Sequence, residues 1–498
     1  MPKGRALQQI IYELLKMQIE FGMHRCGDSL PTIKEASTYF LASVDTVRLA
    51  YLRLKEDGYI TLRTCVGATV KIQYTDEEIR QNFRQYFSCR REPLLAFAQS
   101  AGMLANFAQW FALKTATREN LDELERLSRI KDIAPIYRMS RQLQLLYSPL
   151  GNDMLLQLLW HLFLFFQGPL VSIRQNLPPI NAGVSPLLDS IRAVREKDWE
   201  ALWNAGEAST EKYYEGLHTF YHKYIPQETG GEQIGFSWNL YKKTSQVCYS
   251  LCTELLIAIR EGVYPAGDYL PPPQTLALEK QVSLNTVRRT IALLNKLGAT
   301  QSVNGVGTKV LSSLDSAENC DLTDPLIQKR LLEFLQSFHI LAFSCRDCAQ
   351  ITLKSISSHS RSQWIEKLEK IRRSDSYNIL LYTIYEFISH NAPYPLICTV
   401  YTELARQLFW GFPLWNLHGD RKQTNRYFLP YLESMIDFLA RADAAGFSAC
   451  LEELQIAETG YVARYLSGLG IQEVEAIVLP QREDSLQRRS FTELKSFQ

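Results

Sequence analysis

The chain has 498 residues, more than one hydrophobic core usually organises, so several domains are expected. Hydrophobic residues make up 46% of it, which argues against disorder, and the net charge of +1 does not by itself indicate a nucleic-acid partner. Ten cysteines form no disulfide framework, and the longest apolar run, residues 154–166, is too short to cross a bilayer. We therefore expect a reduced, cytoplasmic protein without a membrane partner.

One stretch of the sequence occurs twice, 240 residues apart and without a gap. Residues from about 7 to 72 align with residues from about 247 to 311 so that turn-forming and apolar positions coincide. The matched positions include Gly22 and Gly262, Gly27 and Gly267, Ser43 and Ser283, Thr46-Val47-Arg48 and Thr286-Val287-Arg288, Gly58 and Gly298, and Gly67 and Gly307. Such a fixed register predicts a duplicated domain.

Both copies are mildly basic within a neutral chain. Residues 1–74 hold ten Lys and Arg against seven Asp and Glu, and residues 241–311 hold eight against four. This local excess favours an anionic partner for the two copies.

The first copy begins with two predicted helices. Apolar residues recur at helical spacing from Ile10 to Ile19, and Gly22 ends this helix. Thr32 and Glu35 have the spacing of a capping box, which begins a short second helix.

A third helix and two strands are predicted to follow. Ser43 or Asp45 caps the third helix, and Gly58 stands where a left-handed C-terminal residue is needed. Residues 59–62 and 69–72 alternate like two short strands joined by a glycine-containing loop. Three helices and a hairpin in this order predict a winged helix-turn-helix domain.

The third helix is the element that this arrangement presents to a DNA major groove. Hydroxyl residues at the start of this helix allow it to approach the DNA closely, and the positive end of the helix dipole favours phosphate. Basic residues one turn further along the helix can reach the DNA backbone. The hairpin wing can follow the adjacent minor groove. The candidate DNA-contacting residues are Lys34, Ser43, Thr46, Arg48, Arg63, Thr64 and Gly67 in the first copy, and Ser283, Asn285, Thr286, Arg288, Arg289, Asn304, Gly305, Gly307 and Lys309 in the second.

Both copies resemble the DNA-binding domain of the GntR family of bacterial transcription regulators. The segments that carry this resemblance are Leu30-Pro31-Thr32, residues 42–48 and Val66-Gly67-Ala68-Thr69, with Leu270-Pro271-Pro272, residues 282–288 and Gly305-Val306-Gly307-Thr308 in the second copy. Two features depart from the family pattern. Val44 and Leu284 stand where the family usually has an arginine, and the basic Lys34 becomes Gln274 in the second copy.

The remaining sequence is predicted to be helical. Through residues 75–224, apolar residues recur at spacings of three and four positions, which is typical of helices. Residues 313–498 repeat that layout loosely. Both segments resemble the all-helical effector domain of the FadR-like subgroup. Pro, Gly and polar residues mark 225–244 as a linker, so the winged domains occupy 1–74 and 245–312. The fold class is mainly α with small β wings, each winged domain being followed by a helical effector-type domain.

Neither a metal nor another cofactor is expected. Members of that subgroup bind a metal through an Asp and three His, and the resemblance places Met139, Leu143, Asn378 and Tyr382 at the first two ligand positions of the two halves. His218 and His222 are four residues apart but lack carboxylate support. Cys345 and Cys348 form a lone CxxC that is more typical of a helical cysteine pair.

The sequence thus predicts a sequence-specific transcription regulator that binds a double-stranded DNA operator. Because one chain carries both winged domains, we expect a monomer acting as a pseudo-dimer on an imperfect palindrome, with a homodimer of chains as the alternative. Asp45 would repel phosphate, so the first copy should bind more weakly or recognise a different half-site. A small-molecule effector would act through the helical domains, and repression and activation both stay open.

Two other classes of protein compete with this interpretation. A fused aminotransferase-like enzyme that uses pyridoxal phosphate is disfavoured, because neither helical segment has the required length or strand–helix alternation, and we predict no catalytic residue. A second alternative is a scaffold module whose winged domains have lost DNA contact. This alternative stays open because Val44 and Leu284 stand where the family usually has an arginine.

Overall fold

The computed structural model describes residues 3–63, 67–130, 133–172, 186–225, 232–240, 247–311, 320–414 and 417–494. The contacts between residues divide the chain into two compact units. Unit 1 contains the chain up to Phe236, together with Tyr394–Leu396 and the end of the chain from Glu483, and unit 2 contains the rest.

Unit 1 is helical apart from one hairpin. Its elements are α1 (Lys3–Glu20), α2 (Ile33–Tyr39), α3 (Val44–Glu56), β1 (Ile60–Arg63), β2 (Gly67–Val70), α4 (Asp76–Ser88), α5 (Arg91–Lys114), α6 (Arg118–Arg129), α7 (Pro135–Tyr147), a 3-10 turn (Ser148–Leu150), α8 (Asp153–Phe165), α9 (Gln167–Val171), α10 (Pro186–Glu196) and α11 (Trp199–Tyr224). The first three helices and the hairpin form the predicted winged domain, and the other helices form the first helical domain.

Unit 2 repeats this order. Its elements are α12 (Val247–Arg260), α13 (Pro273–Glu279), α14 (Leu284–Lys296), β3 (Thr300–Val303), β4 (Gly307–Val310), α15 (Pro325–Ser355), α16 (Ser358–Ser374), a 3-10 turn (Tyr377–Ile379), α17 (Leu380–Asn391), α18 (Pro395–Gln407), a 3-10 segment (Leu408–Leu414), α19 (Arg421–Ala440), α20 (Ala444–Gly468) and a 3-10 turn (Gln472–Ala476). The chain ends with α21 (Arg482–Leu494), which lies in unit 1 from Glu483 onward. The predicted fold class, mainly α with two small β wings, is confirmed.

The local signals of the first winged domain act as predicted. The Thr32 hydroxyl and the Glu35 carboxylate form the reciprocal capping box at the start of α2. Ser43, rather than Asp45, caps α3, and Gly58 follows that helix with a φ of +83°.

The second strand of the first wing begins earlier than predicted. Strand β2 begins at Gly67, two residues before the predicted 69–72, because Gly67 pairs with Arg63 and Val70 with Ile60. Residues 71 and 72 follow the ladder, with both amides directed at the carbonyl oxygen of Tyr59. Gly67 is therefore the first residue of a strand rather than part of the loop.

The first winged domain shares one hydrophobic core with the helices that follow it. Tyr137 of α7 and Trp160 of α8 lie in the same buried cluster as the apolar face of α1. The Tyr39 ring stacks on Tyr137 at 4.8 Å between centroids, and the Tyr137 hydroxyl donates to Oε1 of Gln18 at 3.3 Å. Burial of this apolar area stabilises the winged and helical parts together.

The two helical domains have corresponding turns before their long last helices. Lys197 and Ala442 have φ of +56° and +58°, and the aspartate that follows each one caps the next helix. Asp198 Oδ1 accepts the Ala201 amide at 2.9 Å, and Asp443 Oδ1 accepts the amide three residues further on at 2.8 Å. Residues 187–203 accordingly belong to two helices, α10 and α11, and the same break separates α19 from α20.

The last helix belongs to the helical core of unit 1. Asp484 accepts a hydrogen bond from Nζ of Lys114 at 2.7 Å. Arg488 is buried, with its guanidinium 4.8 Å from the ring centroid of Phe107 and 5.1 Å from that of Trp203. The boundaries predicted from the sequence place these residues in the second helical domain, 313–498, whereas their contacts place them in unit 1.

The described part of the linker is packed rather than free. The Phe236 ring lies 5.6 Å from Phe165 in unit 1, and Trp238 is buried in unit 2. Cys345 and Cys348 are both buried on α15, as a helical pair. Within the described ranges, no helix combines the length and apolar character needed to span a membrane.

Candidate nucleic-acid interface

The turn before the third helix has the same geometry in both winged domains. Leu41 and Gln281, 240 residues apart, have φ of +45° and +51°, which reverses the chain between the second and third helices. Ser43 and Ser283 come next, and each accepts the amide three residues on through Oγ at 3.1 Å. We call residues 43–48 and 283–289 the first and second recognition tips.

The hydroxyl groups of the two tips are engaged with each other. The Oγ of the cap serine lies 2.8 Å from the threonine Oγ1 in both copies. Ser43 and Ser283 are exposed, whereas Thr46 is only 5% exposed and Thr286 is half-buried. The serines are therefore open to a ligand, and the threonines mainly complete the cap. Their contact with DNA stays a prediction.

The first recognition tip is electrostatically neutral. Nη2 of Arg48 lies 2.8 Å from Oδ1 of Asp45, and both side chains are more than half exposed. Val44, at the position of the family's arginine, is 53% exposed and apolar. Arg48, the cation that this tip could offer to a phosphate, is thus already paired with the carboxylate of Asp45.

The second recognition tip carries two positive charges. Asn285 replaces the acidic residue, and Arg288 and Arg289 are both exposed. Within the part of the chain that the structure describes, neither arginine forms an ion pair. The position equivalent to Arg289 is Leu49 in the first copy, so the second tip offers the stronger attraction to phosphate.

The wings also differ between the copies. Arg63 is exposed at the end of β1, while the predicted Thr64 lies outside the described residues. Asn304 and Gly305 form the exposed turn of the second wing, with Gly305 at φ +74°. Lys309 is half-buried on β4, opposite Gln301.

Two further predicted residues complete the comparison. Gly307 opens β4 at φ +151°, and an added Cβ there would meet the Tyr269 ring at 3.2 Å. Lys34 is exposed on α2, as is the uncharged Gln274 on α13. Among the predicted contact residues of the second and third helices that the structure describes, the first domain thus has an exposed, unpaired cation on the second helix, and the second domain has two on the third helix.

Unit 2 contains a cavity within its helical part. It has a volume of about 90 Å³ and lies among α12, α15, α17 and the segment Leu408–Leu414. Asn378 and Tyr382, the residues at the metal-ligand positions of the resemblance, line it. Arg260 lines it as well, and sequence comparison gave no sign of this because its counterpart in the first copy is Glu20.

No metal centre was found among the described residues, which contain no group of three or more His, Cys, Asp and Glu side chains able to hold an ion. His218 and His222 are both exposed on α11. Met139 and Leu143 pack against the shared core of the first winged domain.

The turn, the capped third helix and the paired wing define a winged helix-turn-helix domain, and the chain carries two of them. The hydrogen bonds that fix each wing match at a distance of 240 residues. Gly27 donates to Val70 at 3.0 Å and Gly267 to Val310 at 2.9 Å.

The family described as "Bacterial regulatory proteins, gntR family" matches this chain at residues 7–70 and 250–310, which are the two winged domains. Among curated proteins, the "Uncharacterized HTH-type transcriptional regulator YhcF" of Bacillus subtilis (strain 168) is 31% identical over 80 residues. That alignment covers 16% of this chain and 60% of the relative's length. The predicted resemblance to GntR-type winged domains is therefore confirmed at both copies.

Solved structures similar to this chain include Streptococcus agalactiae GntR and E. coli McbR/YncC. The first is 17% identical, with 43% of this chain and 99% of that chain covered and a TM-score of 0.20. The second is 18% identical, with 43% and 98% covered and a TM-score of 0.22.

Proposed function

We propose that the protein is a sequence-specific DNA-binding transcription regulator of the GntR type, in which one chain supplies two winged domains to one operator. The observation that carries this proposal is the repeated recognition frame, with the same turn, cap and wing hydrogen bonds in both copies. In both, the start of the third helix is exposed, as insertion into a major groove requires.

The two domains are proposed to contribute unequally. Arg288 and Arg289 give the second tip two unpaired charges among the described residues, whereas Arg48 is neutralised by Asp45. Phosphate contacts supply most of the affinity of such proteins, so the second domain should hold the DNA and the first should add a weaker, different half-site. The operator is then an imperfect palindrome bound by a monomeric pseudo-dimer in the cytoplasm.

The helical domains are proposed to be effector domains of FadR-like type. Their shared helix order and their corresponding aspartate-capped turns support a duplicated helical domain. A ligand that prefers one arrangement of a winged domain would shift the population between DNA-binding states.

Selection of bound sequences from random duplex DNA, followed by band-shift titration at several salt concentrations, tests the DNA-binding function. We expect an enriched imperfect palindrome. Arg288→Ala should weaken binding to all sequences and lower the slope of log affinity against log salt by about one. Lys296→Ala is the matched control, because Lys296 lies at the opposite end of α14 and is paired with Asp324 at 2.6 Å.

The control should leave the salt slope unchanged. Absence of any enriched sequence, together with the same slope in wild type and Arg288→Ala, would favour the scaffold function instead. The neutral first tip and the apolar Val44 are the observations that favour that alternative.

A further inference from the structure

The two recognition tips carry different hydrogen-bonding groups at the same position. Asp45 and Asn285 are each the second residue of the third helix, and each follows its cap serine by two positions. In a helix-turn-helix domain, side chains at this end of the third helix meet the base edges in the major groove. Both residues are exposed, so their side chains are available to select a base in each half-site.

Asp45 presents hydrogen-bond acceptors and no donor. Its side chain is 77% exposed, and Oδ1 accepts a hydrogen bond from Nη2 of Arg48 at 2.8 Å. Oδ2 has no hydrogen-bond partner among the described residues, so it is free to accept. An ionised carboxylate has no proton to donate. The bound guanidinium offsets part of the repulsion between this carboxylate and the DNA phosphates, which allows the free oxygen to approach a base.

Among the bases, cytosine matches this carboxylate best. The major-groove edges contain two kinds of hydrogen-bond donor, the amino groups of cytosine and adenine. In adenine the amino group lies next to the N7 acceptor, which repels a carboxylate, whereas cytosine presents its amino group without an acceptor of its own. The neighbouring Val44 is 53% exposed and apolar, so it brings no donor for the two acceptors of guanine.

Asn285 presents both a donor and an acceptor. Its carboxamide is exposed and forms no hydrogen bond with any of the described residues. An amide of this kind pairs with adenine through two hydrogen bonds, donating to N7 and accepting from the N6 amino group. The N7 acceptor that disfavours adenine for Asp45 therefore favours it for Asn285.

We infer that Asp45 selects cytosine in the half-site of the first winged domain, and that Asn285 selects adenine at the corresponding position of the other half-site. This inference rests on the proposed DNA-binding function and specifies how the two half-sites differ. The operator departs from two-fold symmetry at the base pair that faces these two residues.

Selection of bound sequences from random duplex DNA tests the assignment with the full-length wild type, Asp45→Asn and Asn285→Asp. We expect the wild-type operator to have cytosine in one half-site and adenine at the corresponding position of the other. Asp45→Asn should change that cytosine to adenine and make the operator more symmetrical, and Asn285→Asp should change the adenine to cytosine. Each substitution should leave the other half-site as it is.

Glu56→Gln is the matched control for the loss of a carboxylate. Glu56 is the last residue of the same helix as Asp45 and is exposed at its opposite end. Its substitution removes the same charge from the first winged domain, far from the recognition tip along the helix. The selected sequence should therefore be that of the wild type, and a change from cytosine to adenine with Glu56→Gln would contradict the role given to Asp45.

Band-shift titration measures the size of the preference, with two duplexes that differ only at this base pair of the first half-site. Wild type should bind the cytosine duplex at least about fivefold more tightly than the adenine duplex, and Asp45→Asn should reverse the order. Removal of the negative charge strengthens binding to both duplexes alike, so that effect cancels in the ratio. The wild-type ratio in Asp45→Asn would overturn the assignment of Asp45, and an unchanged ratio in Asn285→Asp at the second half-site would overturn that of Asn285.

The selection separates failure of this inference from failure of the proposed function. If wild type enriches no sequence, the DNA-binding function and the inference fail together. An enriched operator that responds to neither substitution, or one that is perfectly palindromic at this base pair, would refute the inference and leave the proposed function in place.

Discussion

At position 45 an acidic side chain stands beside Arg48, the basic residue of the first recognition tip that is proposed to contact DNA. The Asp45–Arg48 pair is exposed, so it adds little to stability, but it cancels the charge that a phosphate would meet. In the second copy, Asn285 keeps the shape of that side chain without its charge. The carboxylate of Asp45 thus accounts for one of the two charges by which the recognition tips differ, and Arg289, at the position of Leu49, accounts for the other.

Asp45→Asn should strengthen DNA binding by the first domain. Removal of the carboxylate releases Arg48 and ends repulsion of phosphate, so we expect affinity to rise about two- to fivefold at low salt and the salt slope to steepen by about one. Band-shift titration measures both quantities. In an Arg48→Ala background the same substitution should leave the slope almost unchanged, and an equal gain in that background would show that Arg48 is not the residue released.

A buried histidine is expected to make unit 2 sensitive to acid. His339 on α15 is fully buried, and burial lowers its pKa to about 3 from the ordinary 6.5. The folded state therefore favours the neutral form, and its stability is complete above about pH 6.5 and falls as the pH drops toward 3. Between pH 7 and pH 5 the expected loss is about 2 kcal/mol.

His339→Leu should remove that part of the pH dependence. Urea denaturation at pH 7 and pH 5 should show a smaller loss of unfolding free energy in this variant than in wild type. His359→Gln serves as the control, because His359 is exposed on α16. The same acid loss in wild type and His339→Leu would assign the sensitivity to other groups.

At the scale of the element, features that depend on near neighbours in sequence were predictable. The capping box at Thr32 and the left-handed Gly58 each follow from residues within one turn of a helix. The Asp45–Arg48 pair also has a local spacing, three residues, that a search for helical ion pairs would find. The predicted start of β2 was wrong by two residues. The pairing of Gly67 with Arg63, rather than the alternation of residue types along the strand, decides where the strand begins.

Features that join distant parts of the chain were not predictable. Arg260 and Tyr382 are 122 residues apart, and only the packed helices bring them together. The same holds for Lys114 and Asp484, which are 370 residues apart. The predicted site residues were found by comparing two copies, and that comparison could not reveal a group such as Arg260, which differs between the copies.

The last helix should stabilise unit 1 through its buried contacts. Asp484→Ala leaves Nζ of Lys114 without its carboxylate, at a position where both side chains are mostly buried, and should cost about 2 kcal/mol of unfolding free energy. Denaturation followed by tryptophan fluorescence measures it, since Lys114 lies over the Trp110 ring at 4.6 Å. Asp437→Ala, which breaks the exposed pair with Arg441, should cost less than about 0.5 kcal/mol, and equal costs for the two variants would contradict the role given to α21.

At the scale of the whole molecule, the proposed pseudo-dimer would contain in one chain what a dimeric regulator builds from two subunits. The order of winged domain and helical domain occurs twice. The two halves nevertheless differ in the sequence of their recognition tips and at the position occupied by Glu20 in the first half and Arg260 in the second. Covalent linkage permits this, because two halves of one chain can change independently, whereas the subunits of a homodimer change together. The proposed difference between the two halves, in which the second winged domain holds the DNA more strongly than the first, depends on that freedom.

Hydroxyl-radical footprinting of one chain on its selected operator tests the central proposal most directly. We expect two protected half-sites with centres about 10 base pairs apart, or a multiple of that spacing, at a stoichiometry of one chain per duplex. The half-site contacted by the second winged domain should become protected at the lower protein concentration. Protection of a single half-site, or of both only when two chains are bound, would contradict the single-chain pseudo-dimer.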